Sequence, residues 1–184
     1  LFSLTDDTGI LQHSVSIVPN YKEGYTTDDN ARALILTTML ENTTQDIMQK
    51  VDKLAIRYLA FILFAFNPDL GRFRNFLSFD RRWLEDCGSE DSHGRALWAL
   101  GAVVGRSKRK NLREIAGHLF SIALPATLKF SSPRAWAFTL IGIHEYLRRF
   151  SGDRAAQNVE EILAERLMDL YRRNSADDWS WFED

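Results

Sequence analysis

The sequence predicts an all-α domain made of consecutive helical hairpins, and three observations carry that reading. Apolar residues recur at helical spacing through most of the chain. Stop signals at Asn67-Pro68, Gly105 and Ser151-Gly152 cut that pattern into helix-sized pieces. A short acidic motif also recurs where alternate helices begin.

The first helix is expected to begin near residue 28, with Thr26 or Thr27 as N-cap and Ala31, Leu34, Ile35 and Met39 as its apolar stripe. A second covers residues 46–66 and ends at Asn67-Pro68, because a residue before proline is pushed out of the helical region. A third covers 91–104 and is closed by Gly105. A fourth covers 111–129, with Pro125 kinking its last turn. The fifth opens on Ser132-Pro133, an N-cap followed by proline at the first helical position, and ends near residue 150. The sixth covers 154–173. Two segments do not fit helices. Residues 1–25 carry Gly, Pro and Asn, with a brief strand expected at 14–18. Residues 67–90 interleave Phe73, Phe76, Phe79 and Trp83 with Arg72, Arg74, Arg81 and Arg82, and are expected to fold as an irregular hairpin over one end of the helices.

At 184 residues the chain is long enough for one domain with a buried core. Its 23 Lys+Arg against 25 Asp+Glu argue against binding nucleic acid through bulk positive charge. The least polar stretch, residues 59–66, falls far short of the ~18 residues a membrane span needs, so no membrane partner is expected. No secretory leader is visible, and a cytoplasmic location is expected. Cys87 is the lone cysteine and sits among acids, which disfavours a thiolate nucleophile. Nucleotide-phosphate loops, the GxSxG elbow, HExxH and Cys/His quartets are all missing, so neither a metal nor a cofactor is expected.

From Asp28 and from Asp91 the chain runs in register: an acid at the helix start, an arginine four residues later (Arg32, Arg95), then Ala-Leu. Ser132-Pro133-Arg134-Ala135-Trp136-Ala137 is a looser third copy. The copies fall on helices one, three and five. Repeated helical hairpins bury their apolar faces by stacking on neighbours, so alternate helices with like beginnings imply an inner row whose N-terminal ends point one way. That is the organisation of an α/α toroid. A complete six-hairpin ring needs about twice the helices this chain supplies. Residues 1–184 are therefore read as a single toroid domain, C-terminally truncated, with a compact six-helix domain as the alternative. A partial ring should leave an apolar seam on helices one, three and five, open to self-association as a homo-oligomer.

Acids at the inner helix starts converge in such a fold, and glycoside cleavage uses two carboxylates. Asp28 and Asp91 each have an arginine four residues on, and acids in a first turn complement the helix dipole, so an ion-pairing role competes. Asp29 and Glu90 lack that arginine and are the better acid/base candidates, with capping as their alternative role. Asp91, His93 and Glu183 complete the catalytic candidates, although a buried, hydrogen-bonded histidine is an equal reading of His93. Sugars pack their C–H faces on aromatic rings and present hydroxyls to polar groups. On that ground His13, Tyr25, Asp28, Arg32, Trp83, Arg95 and Trp181 are the substrate-binding candidates, with ring plugging of the toroid end as the rival role for the aromatics. Trp98 and Trp136 fall within helical patterns and read as core.

The motifs at 4–13, 24–34 and 73–76, the run Ser89-Glu90-Asp91-Ser92-His93-Gly94-Arg95-Ala96-Leu97-Trp98, the Ser132-Pro133-Arg134 copy and the closing Trp181-Phe182-Glu183-Asp184 resemble a bacterial glycosyltransferase-associated α/α-toroid family, a relative of the six-hairpin glycosidases. The resemblance covers nearly the whole chain. It implies an oligosaccharide or polysaccharide as partner, and a nucleotide-sugar glycosyltransferase domain elsewhere on the parent polypeptide. In that family the Trp-Phe-Glu-Asp string is followed by further helices. The expected activity is glycoside hydrolysis by a carboxylate pair at the inner-helix mouth. A non-catalytic glycan-binding or scaffolding module is the alternative. A sugar epimerase would instead need a proton-transfer pair such as His93 with a second histidine.

Overall fold

The computed structural model describes residues 1–41 and 45–176. Among them the fold is helical, with six α-helices and only two-residue strands. The helices are α1 (Thr27–Leu40), α2 (Gln45–Ala65), α3 (Glu90–Arg106), α4 (Lys110–Ala123), α5 (Pro133–Leu147) and α6 (Arg154–Asn174). Hydroxyl caps open the odd-numbered ones. Thr26 Oγ1 accepts the Asp29 N–H at 3.1 Å, Ser89 Oγ that of Ser92 at 3.1 Å, and Ser132 Oγ that of Ala135 at 3.2 Å.

Two boundaries differ from the sequence pattern. Gly105 lies inside α3 instead of ending it, because a Cβ at this position would collide with the Glu145 carbonyl of α5. The glycine serves close packing. At Pro125 the helix does not bend and continue. It tightens into a 3-10 helix (Leu124–Lys129), since proline supplies no N–H for the α pattern.

The helices form two rows. α1 packs on α3 and α3 on α5, while α2, α4 and α6 lie behind their hairpin partners. The core between the rows includes Leu34, Tyr58, Ile62, Leu97, Leu100, Leu119, Phe120, Ile143 and Leu163. α3 and α5 touch backbone to backbone: a Cβ on Gly94 would meet Ala135 O at 2.7 Å, and one on Gly142 would meet Leu97 O at 2.7 Å. Gly101 faces Gly142 directly. Gly94 opposite Ala135, Gly101 opposite Gly142 and Gly105 opposite Glu145 keep a nearly constant sequence offset, so the two helices run parallel. α1 is parallel to α3 as well. Asp28 meets Arg95 at one end, and Glu41 accepts from Ser107 Oγ at 2.6 Å and Lys108 N at 2.8 Å at the other. The amino ends of α1, α3 and α5 therefore share one side of the molecule.

The connections cover that side. The expected strand at 14–18 is a small hairpin, β1 (Ser14–Val15) with β2 (Val18–Pro19). β3 (Tyr25–Thr26) pairs antiparallel with β6 (Phe76–Leu77), and β4 (Phe66–Asn67) with β5 (Arg72–Phe73). Gly24 sits at φ 62°, where a side chain would also strike Leu77 O, so only glycine lets β3 approach β6.

The expected apolar seam is partial among the described residues. Leu36 and Met39 of α1 and Ile141 of α5 are exposed, whereas α3 exposes no large hydrophobic: its Trp98 is half-buried and its one exposed residue, Arg106, is charged. Trp98 stacks on Phe138, with ring centroids 6.0 Å apart. Trp136 packs at the edge of the core, as its pattern implies.

Gly101→Ala tests the close helix contact. Stability is expected to fall by about 1–3 kcal/mol, the usual effect of overpacking, and a circular-dichroism melt should drop by roughly 3–10 °C at this length. Gly117→Ala, where the nearest atom to an added Cβ lies 3.6 Å away, is the control and should hold or raise the melt, because alanine is the better helix former.

Candidate functional site

A cleft of about 540 Å³ opens where the amino ends of α1, α3 and α5 meet. Its walls include Gln12 and His13 from the first segment, Thr26, Asp28, Asp29 and Arg32 around the start of α1, and Asn75 and Phe76 from the β5–β6 connection. Ser89, Asp91, Ser92 and Arg95 come from the start of α3, and Arg134 from α5.

Local chemistry explains why these groups arrive together. Glu85 Oε1 accepts the Asn75 N–H at 2.7 Å and the Phe76 N–H at 3.1 Å, which fixes that stretch of the connection. Asn75 then caps α1, its Oδ1 accepting the Asp28 N–H at 3.2 Å and its carbonyl the Thr27 N–H at 2.9 Å. β3–β6 pairing sets Phe76 opposite Thr26, and the Phe76 ring is exposed toward the cleft.

Charge is stitched across the helices. Asp28 pairs with Arg32 on its own helix at 2.7 Å and with Arg95 Nε of α3. The Arg95 contact has ion-pair proximity without hydrogen-bond alignment, and among the described residues Nε has no hydrogen-bond partner. The Arg95 guanidinium also lies over the Phe138 ring, 4.1 Å from its centroid. Asp91 accepts from Ser132 Oγ at 2.6 Å and pairs with Arg134 at 3.4 Å. Asp29 accepts from Thr26 Oγ1 at 2.6 Å and lies 3.7 Å from Arg32. The repeated arginine thus acts between helices: the one on α3 reaches the acid of α1, and the one on α5 reaches the acid of α3. Sequence spacing points to the Asp28–Arg32 pair, which forms, and equally to Asp91–Arg95, where Arg95 instead turns to α1.

Of the sequence candidates, Asp28, Asp29, Asp91, Arg32, Arg95 and His13 line this cleft. Glu90 is taken up by backbone donors, its Oε2 accepting from Ser131 N at 2.8 Å and Ser132 N at 2.7 Å at the approach to α5. It lies next to Asp91 in sequence yet outside the cleft lining. Tyr25 is buried against Leu11, Phe61 and Leu77 and donates its hydroxyl to Asp6 Oδ2 at 2.5 Å. Burial, with that carboxylate beside it, pushes the Tyr25 phenol up to about 12. Trp83 packs on Phe61 and Phe64, 5.8 and 5.2 Å between centroids, and also lies outside the cleft lining. Trp181 and Glu183 fall outside the described residues.

His93 is fully buried between Phe73 and Phe130, 4.9 and 5.2 Å between ring centroids. Its Nδ1 accepts the Phe73 N–H at 3.3 Å, and its Nε2 donates to the Ala123 carbonyl at 3.1 Å. Both nitrogens are used, so the ring is a neutral bridge between the connection and the end of α4. Burial, and secondarily Arg72, push it down to about 3.

Gln12, Asn75, Phe76 and Arg134 are among the cleft-lining residues that the candidate set missed, as are the hydroxyls of Thr26, Ser89 and Ser92. Arg134 had a signal, since it holds the arginine of the third motif copy. Asn75 and Phe76 lie in the aromatic-rich connection and in the 73–76 motif, but their place at the cleft follows from strand pairing and from Glu85. Among the described residues, no group of three or more His, Cys, Asp or Glu side chains is arranged to hold a metal ion, and no helix is long and apolar enough to cross a membrane. Comparison of the chain with protein-family models, curated proteins and solved structures gives no match.

His93 sets a pH dependence. The unfolded chain takes up its proton below the ordinary 6.5, while the folded protein resists until about 3. This contribution is fully present above 6.5 and lost as pH falls toward about 3. Urea unfolding between pH 6.5 and about 5, above the carboxylate range, should lose roughly 1.4 kcal/mol per pH unit from this group. His93→Gln should flatten that slope.

Proposed function

We propose that this chain is an α/α-toroid domain that handles carbohydrate, with the glycan lying across the mouth where α1, α3 and α5 begin. One observation carries the reading: three aspartates from two parallel helices face a single cleft beside an exposed phenylalanine ring. Carboxylates, guanidinium groups and amides offer hydrogen bonds to sugar hydroxyls, and the ring of Phe76 takes a C–H face. In the hydrolytic form of this reading Asp29 and Asp91 are the acid/base pair. Glu90 and His93 drop out of it, since both are engaged away from the cleft. A cytoplasmic setting, a glycosyltransferase domain on the same polypeptide and self-association through Leu36 and Met39 go with the proposal.

A second reading, glycan binding without cleavage, is favoured by the engagement of every cleft aspartate. Asp28 holds two arginines, Asp29 a threonine hydroxyl, and Asp91 a serine hydroxyl and an arginine. Such groups are well fixed for holding hydroxyls.

An oligosaccharide cleavage and binding screen separates the two. For a hydrolase, Asp29→Asn and Asp91→Asn should each lower turnover at least about 100-fold. For a binding module, the parent cleaves nothing and both variants lose affinity. Cleavage by both variants at the parent rate overturns the hydrolytic assignment.

A further inference from the structure

We infer that the cleft selects uncharged glycans and discriminates against uronate-containing or otherwise anionic ones; the inference rests on the carbohydrate reading and adds a substrate class to it. Three helix amino ends and three arginines at one mouth would ordinarily make an anion site. Here the features that would recognise an anion are already answered by the protein itself.

Consider first the backbone donors. The Asp28 N–H is taken by Asn75 Oδ1, the Ser92 N–H by Ser89 Oγ and the Ala135 N–H by Ser132 Oγ. The approach to α5 is closed by Glu90, whose carboxylate accepts two further N–H groups. An incoming carboxylate or phosphate therefore meets capped helix ends.

The arginines are answered in the same way. The lining holds three aspartates and three arginines, so these six side-chain charges cancel. Each arginine has an aspartate in ion-pair range: Arg32 at 2.7 Å and Arg95 both on Asp28, and Arg134 on Asp91 at 3.4 Å. Arg95 is held from two sides, by Asp28 and by the Phe138 ring. An anionic sugar would bring a fourth negative charge among three carboxylates, and like-charge contact disfavours the wrong partner. A neutral sugar keeps every pair intact and uses the lone pairs and N–H groups left over.

The test is isothermal titration calorimetry with uncharged gluco- and manno-tetrasaccharides against a galacturonate tetrasaccharide. The parent should bind its best neutral ligand at least about tenfold tighter than the uronate. Asp28→Asn frees Arg95 from its aspartate and leaves Arg32 only the longer contact to Asp29 at 3.7 Å, and should narrow that ratio to about threefold or less, mainly by tighter uronate binding. Arg32→Gln, which leaves the cleft net negative, should widen it. Uronate binding equal to or tighter than neutral binding in the parent overturns the inference and leaves the carbohydrate reading standing. A ratio unmoved in Asp28→Asn, with the fold intact by circular dichroism, also overturns it. If Asp28→Asn does not fold, an unchanged ratio in Arg32→Gln does so instead. Binding of neither class removes the carbohydrate reading itself, and the selectivity with it.

Discussion

The backbone contact between α3 and α5 is the constraint on which the rest of the molecule depends. Gly94, Gly101 and Gly142 remove the side chains that would hold these helices apart, so the axes approach until carbonyls occupy the vacated space. Contact that close permits very few registers. The one adopted is parallel, and it brings Ser132 and Arg134 level with Asp91 at one end and Glu145 level with Arg106 at the other. A parallel pair cannot be joined by a short turn. The intervening α4 and 3-10 helix must return the chain, which builds the second row and the core between the rows.

The same geometry turns a sequence repeat into a network. An acid followed by an arginine four residues later is ordinarily a pair within one helix, of small consequence when exposed. With parallel neighbours in register, the arginine of one copy stands beside the acid of the preceding copy. Asp28 with Arg95 and Asp91 with Arg134 then tie three helices together at the mouth. Asp28 and Arg95 are less exposed than the outer Arg32 and Arg134, so the crosslink nearest the centre is the one least screened by solvent. The far end carries its own tie. Arg106 and Arg148 hold the buried carboxylate of Glu145, with the hydrogen bond from Arg106 chief among the effects that keep it below its ordinary range.

The connections are as decisive as the helices. The long aromatic-rich connection supplies one wall of the cleft: Glu85 orders Asn75 and Phe76, and Asn75 caps α1. The aromatic-rich stretch divides its rings by strand geometry. Phe73 and Leu77 turn inward and are buried, while Phe76, between them, faces out. His93 reinforces the arrangement from beneath, joining Phe73 to Ala123 through a ring that stays neutral. A titratable group at a motif centre is here part of the frame that supports the cleft.

Local chemistry in the sequence was enough for the helices, the hydroxyl caps of α1 and α5 and the alternate-helix repeat, because periodicity and capping act over three or four residues. It also determined that Asp28, Asp29 and Asp91 lie in first helical turns, and their repetition pointed to α1, α3 and α5 running in one direction. Tertiary structure alone decided which neighbours share the mouth. Glu90 and Asp91 are adjacent in the chain and both reach Ser132, Glu90 its N–H and Asp91 its hydroxyl, yet only Asp91 lines the cleft. Tyr25 and Trp83 carry the composition of a sugar platform but are consumed by packing, while Phe76 takes the exposed place. Gly105 reads as a stop and acts as a contact. In each case the deciding atoms belong to a segment far away in the chain, and local pattern holds no record of them.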